Sequence, residues 1–88
     1  MADVRVKRGT VVDGRVTALV VGFDGLADRT IDRATALGWL ADGHSFVPVI
    51  DGARGPALQR VEVADDRFVI RTDNAPVDED ALPGLPPA

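Results

Sequence analysis

The chain has no cysteine, no tyrosine, one histidine and one tryptophan. Each absence removes some chemistry. Without thiols there are no disulfides, no thiolate metal sites and no cysteine nucleophile. With one imidazole, acid–base work near neutral pH falls to His44 or to a perturbed group elsewhere. Three phenylalanines and one tryptophan make a thin platform for stacking the bases of a single strand. No apolar run approaches the ~20 residues that cross a bilayer, and the longest, Val16 to Phe23, is broken by Thr17 and Gly22. The opening Met-Ala-Asp-Val-Arg-Val lacks the apolar stretch of a secretory signal. The expectation is a cytoplasmic protein, or one carried inside another particle, with no membrane contact.

What is present points to one small folded domain. The 88 residues are 45% hydrophobic, and a chain of this size buries about 60–65% of its unfolded surface in a single modest core. The net charge of −4 is unevenly placed: residues 1–33 carry +1, residues 34–72 carry −1, and residues 73–88 carry −4 from Asp73, Asp78, Glu79 and Asp80. The body is neutral and the tail holds the excess. A neutral body is a poor footprint for nucleic acid, which calls for a basic stripe.

The apolar periodicity changes along the chain. Val4-Arg5-Val6-Lys7 alternates as a half-exposed strand does. Gly9 interrupts it, and Thr10-Val11-Val12 resumes it. Asp13-Gly14 predicts a two-residue hairpin turn. Arg15 to Val21 then reads as a nearly continuous apolar strand in a central position. Asp24-Gly25 marks another turn. A helix is predicted from about Asp32 to Asp42, N-capped by Thr30 or Asp32 and closed by Gly43. Ile31, Ala34, Leu37, Gly38 and Ala41 share one helical face, with Ala36, Trp39 and Leu40 on the other. A helix this apolar is expected to be covered on more than one side. Gly38, inside it, points to close approach of another backbone. Ser45 to Ile50 is a strand placed at an edge or kept short by Pro48. Residues 51–56 form a loop, and Leu58–Val63 and Arg67–Thr72 are the last strands, joined at Asp65-Asp66.

The predicted fold is α+β: a small, mainly antiparallel sheet of about five strands in the order β-β-α-β-β-β, with one helix packed on it. Residues 1–72 form the domain. Residues 73–88 are an acidic, proline-rich tail, holding four of the six prolines, expected to dock on the domain through Leu82 and Leu85.

The C-terminal string Ile70-Arg71-Thr72, then Asp80-Ala81-Leu82, then Leu85-Pro86, resembles the ending of a family of small bacterial and phage proteins, domain of unknown function thirty-eight ninety-two. Gly43, Arg71, Thr72, Asp80, Leu82, Leu85 and Pro86 carry the match. Ala81 departs from it, since the family has Asn there, so no role of that side chain carries over. The resemblance implies that the tail is an ordered part of the domain, and that a phage particle is an alternative location to the cytoplasm. It implies no activity.

Few residues recommend themselves for chemistry. His44, with Asp42 and Ser45 beside it, matches no nucleophile context, and a histidine after a helix end serves as a cap. Asp65-Asp66 and Asp78-Glu79-Asp80 lack the spacing of a calcium loop. Arg54, between Gly52 and Gly55, is a candidate anion or partner loop. Arg5, Lys7, Arg15, Arg60 and Arg71 would form a basic patch if they shared one sheet face. Trp39 and Leu40, with Pro48 on its edge strand, are the candidate interface, because exposed apolar groups mark contact surfaces. The leading reading is a non-enzymatic interaction or accessory protein that binds a protein partner or itself, with no cofactor and no metal. A nucleic-acid accessory protein using the strand arginines is the alternative, and a small hydrolase or metal-dependent enzyme using His44 is the third.

Overall fold

Asp13 and Gly14 take φ of 52° and 75°. This two-residue turn, whose twist suits the strands it joins, reverses the chain between β1 (Asp3–Val12) and β2 (Arg15–Gly22). The structure, a computed structural model, describes residues 3–23, 25–73, 75 and 77–88. Of the expected Asp24-Gly25 turn only Gly25 is described, at φ 76°; Asp24 lies outside the described residues, as do Asn74 and Pro76 in the tail.

β1 runs unbroken through Gly9, contrary to the interruption expected there. Its pairing skips Lys7, and that of β2 skips Thr17: Val6 faces Val21, Arg8 faces Val20, Thr10 faces Ala18 and Val11 faces Val16. Each bulge shifts the two-residue alternation by one. The inward set is therefore Val4, Val6 and Gly9 on β1, and Val16, Leu19 and Val21 on β2. Gly9 is needed for packing: a Cβ there would lie 2.6 Å from Leu82 Cδ1 and 2.9 Å from Leu19 Cδ2.

β3 (Arg29–Ile31) pairs antiparallel with β2 and leads into α1 (Arg33–Ala41). Asp32 is the N-cap, its side chain accepting from Thr35 N at 2.8 Å. Gly43, at φ 92°, closes the other end: Gly43 N donates to Leu40 O and His44 N to Trp39 O, each at 3.1 Å. That pair of bonds is the Schellman arrangement. β4 (Ser45–Ile50) then lies parallel to β1, and β5 (Ala53–Arg54) folds back on it after an Asp51-Gly52 turn of positive φ. The sheet order is β3-β2-β1-β4-β5. β6 (Gln59–Ala64) and β7 (Arg67–Arg71) form a second, two-stranded sheet, linked to the first where Leu58 N donates to Phe46 O at 2.7 Å. The α+β class and the strand–helix–strand order are those of the sequence reading. β3 and β5, of three and two residues, are too short to show a period.

Three further expectations fail. Pro48 is not at an edge: β4 lies between β1 and β5, and Pro48 is buried. Its carbonyl accepts from Gly55 N at 2.8 Å, so the side on which proline lacks a donor faces a segment that donates to it. The helix is also not covered all round. Ala36 is buried and Leu37, Trp39 and Leu40 are half-buried against the core, whereas Ala34, Gly38 and Ala41 are exposed. A Cβ at Gly38 would meet nothing within 4 Å, so no backbone crosses there.

The tail binds both sheets. Asp80 N donates to Gly14 O and Ala81 N to Ile70 O, each at 2.8 Å, while Pro86 O accepts from Gly9 N at 2.9 Å. Leu82 and Leu85 pack on the core around Val4, Leu19, Phe46 and Ile70. The Asp80 side chain is fully buried. It accepts from Val16 N at 2.7 Å, Ile70 N at 2.9 Å, Arg33 Nε at 2.7 Å and Arg33 Nη2 at 3.1 Å. Burial pushes this carboxyl up, but the bonds from Arg33, Val16 and Ile70 together outweigh it and hold the group below its ordinary value.

Replacing Asp80 by Asn removes the buried charge that the half-buried Arg33 guanidinium pairs with, and a loss of about 3 kcal/mol in urea unfolding at neutral pH is expected. Because the folded carboxyl is depressed, its stabilisation is complete above the unfolded value of about 4 and fades as pH falls through the folded value. The gap between wild type and Asp80→Asn should therefore narrow in acid. Gly38→Ala should raise the unfolding free energy measured in urea by up to about 1 kcal/mol, since helix propensity improves with no clash.

Candidate functional site

The candidate residues separate towards the two ends of α1. At its first turn, Arg33 enters the Asp80 cluster. Near its end, Trp39 projects towards the start of β1 and the exit of β2. There its ring meets Phe23 edge-on at 5.9 Å, His44 at 6.2 Å and Phe46 at 6.1 Å between centroids. The Arg29 guanidinium lies 5.7 Å from the Trp39 ring centroid. Edge-on aromatic contacts and a cation over the indole both follow the ring's charge distribution.

Val4, Phe23, Leu26, Ala27, Arg29, Trp39 and His44 surround an open pocket of about 350 Å³. Among the described residues, the wall is apolar except for Arg29 and His44. Leu26 stands at its rim with 69% of its surface exposed. Asp28, next to Arg29 in the chain, is engaged by Lys7 Nζ at 2.9 and 3.1 Å. The Schellman bonds of Gly43 and His44 leave the Leu40 and Trp39 carbonyls at the helix end already paired.

A second concavity, of about 300 Å³, gathers Arg15, Arg33, Leu37, Asp66, Arg67 and Phe68 at the other end of the helix. Its cations are committed. Arg33 binds Asp80 and donates to Phe68 O at 2.7 Å, and Arg15 and Arg67 flank Asp78 at 2.6 and 3.2 Å. This cluster fastens the tail.

The sequence-derived candidates thus resolve differently. Trp39 belongs to the pocket. Leu40 packs inward, and Pro48 is buried. Arg54 donates to Asp3 at 3.1 Å with both groups exposed, and its loop is a tight hairpin turn with a two-residue strand. Gly43 closes the helix. Arg71 grips Asp73 at 2.7 Å and Glu79 O at 2.9 Å, Thr72 is half-buried beside it, and Asp80, Leu82, Leu85 and Pro86 fix the tail. The strand cations are divided: Arg5, Lys7 and Arg15 are in the large sheet, Arg60 and Arg71 in the small one. Among the described residues, no three His, Cys, Asp or Glu side chains gather where they could hold a metal ion. Among the same residues, no helix is long and apolar enough to cross a membrane.

Sequence reasoning missed Phe23, Leu26, Ala27 and Arg29. One signal was available: Leu26 and Ala27 are apolar residues in a stretch whose Gly and Asp mark it as a turn. No protein-family model matches the chain, and no curated protein and no solved structure does either.

Arg29 rests on the pocket without supporting the core. Arg29→Gln should change the unfolding free energy by no more than about 1 kcal/mol, while altering the emission of Trp39, measured in one urea titration followed by fluorescence.

Proposed function

We propose that this chain is a small non-enzymatic interaction module, and that it binds a protein partner by taking a large apolar side chain into the Trp39 pocket. The observation that carries the reading is the pocket itself. An indole already held on three sides by Phe23, His44 and Phe46 turns its remaining surface to an open apolar concavity with Leu26 exposed at the rim. A rigid aromatic floor needs no ordering when a partner arrives, and pockets of this kind hold the anchor residues of interfaces. The C-terminal motif residues serve the tail at the other end of the helix, and no described residue of that tail lines the pocket. The resemblance to a family of small bacterial and phage proteins adds no activity to this reading.

Selection from a displayed peptide library tests it. Enriched peptides should share a large apolar side chain, shift the emission of Trp39, and lose binding at least about tenfold to Ala27→Lys, which places a charged chain in the concavity. Enriched peptides that leave the Trp39 emission unmoved and bind Ala27→Lys as well as wild type would overturn the reading.

A further inference from the structure

Resting on that reading, we propose a chemistry for the partner: an acidic peptide, whose apolar side chain sits on Trp39 and whose side-chain carboxylate, one or two residues away, pairs with Arg29. Arg29 is the pocket's guanidinium, and it has no carboxylate partner among the described residues. Lys7, Arg15, Arg33, Arg54, Arg67 and Arg71 each have a carboxylate partner, in Asp28, Asp78, Asp80, Asp3, Asp78 and Asp73. No carboxylate among the described residues pairs with Arg29, which touches the face of Trp39 instead. Arg60, over Phe68 at 4.0 Å, and Arg8, which donates to Pro87 O at 3.4 Å, also pair with no carboxylate among the described residues, but neither lines this pocket. The nearest acid in sequence whose position is described, Asp28, is already held by Lys7.

A guanidinium resting on an aromatic face keeps its N–H fork for a planar anion, and the fork matches a carboxylate. The pocket therefore offers an apolar seat and a cation side by side. A side-chain carboxylate fits better than a chain terminus. Terminal carboxylates are captured by clusters of backbone N–H groups, and three amides beside this pocket are already committed: Leu26 N to Phe23 O, Gly43 N to Leu40 O and His44 N to Trp39 O.

Trp39 is the only tryptophan in the chain, so its emission reports occupancy directly. The full chain is titrated with the capped peptides acetyl-Phe-Gly-Glu-amide, acetyl-Phe-Gly-Gln-amide and acetyl-Phe-Gly-Lys-amide, and with acetyl-Phe bearing a free carboxylate. The Glu peptide should bind about fivefold more tightly than the Gln peptide at low salt, and the preference should fade as salt rises. It should vanish in Arg29→Gln, survive in Arg29→Lys, and turn towards the Lys peptide in Arg29→Glu, with circular dichroism confirming that each variant folds. Equal binding of the Glu and Gln peptides, or a preference that persists in Arg29→Gln, overturns this inference and leaves the apolar reading standing. Tighter binding of the free terminal carboxylate overturns the choice of an internal acid. If no peptide moves the Trp39 emission, both readings fall.

Discussion

The carboxylate of Asp80 has no contact with solvent, yet it sits among four donors drawn from three separate elements: the start of β2, the end of β7 and the first turn of α1. A buried charge in an apolar setting is tolerated only when its hydrogen-bonding capacity is filled and a counter-charge is close. Here Arg33 supplies the counter-charge and two backbone amides supply the rest. Remove the carboxylate and the amides of Val16 and Ile70, together with Arg33, lose their acceptor at once. Through one side chain, the two-stranded sheet, the five-stranded sheet and the helix are held in a single arrangement, and the tail that carries Asp80 becomes part of the fold.

The rest of the tail follows from that anchor. With Asp80 fixed, Ala81 extends along Ile70, Leu82 drops onto the space that Gly9 leaves open, and Pro86 O reaches Gly9 N. The surface acids contribute differently. Asp78 spans Arg15 and Arg67 on the outside, where solvent weakens each pair, so they orient the segment more than they hold it. The negative charge concentrated in residues 73–88 is thus largely spent on the chain's own arginines. This locking machinery gathers at the N-terminal end of α1 and the β1–β2 turn. At the other end of the helix the Trp39 pocket has no such covering among the described residues. Its cation, Arg29, faces no carboxylate among the described residues.

Much of the fold was legible in local sequence because local physics decided it. Asp13-Gly14 makes its turn wherever the flanking strands can pair. Asp32 and Gly43 bound the helix because one side chain caps the first turn and one residue tolerates positive φ. The helix was expected to be covered on more than one side and is not, since nine residues with apolar groups on opposite faces define no direction by themselves. The face turned inward, through Ala36, Leu37 and Leu40, was selected by what lay opposite. Gly9 looked like a break because a glycine within a strand weakens it, and only the neighbouring Leu82 and Leu19 side chains reveal why a larger residue could not stand there. Pro48 looked like an edge marker, and its burial became intelligible only once Gly55 was seen to donate into its carbonyl.

The candidate site shows the same division more sharply. Trp39 was identifiable as a large apolar residue on a short helix. Phe23, Leu26 and Arg29 were not identifiable as its neighbours, because a concavity formed by β1, the β2–β3 connection and a helix end has no sequence period. Nor could charge counting single out Arg29 among ten basic residues: which cation lacks a partner depends on which carboxylates the fold brings near the others. The sequence by itself determined the α+β class, the turns and caps, the absence of thiol chemistry and the acidic character of the tail, since these depend on composition and on contacts between near neighbours in the chain. The tertiary structure alone decided that Asp80 and Pro48 are buried, that Leu40 packs on the core while Trp39 also borders a pocket, and that Arg29 stands over it, since these depend on groups far apart in sequence meeting in a space that neither segment defines alone.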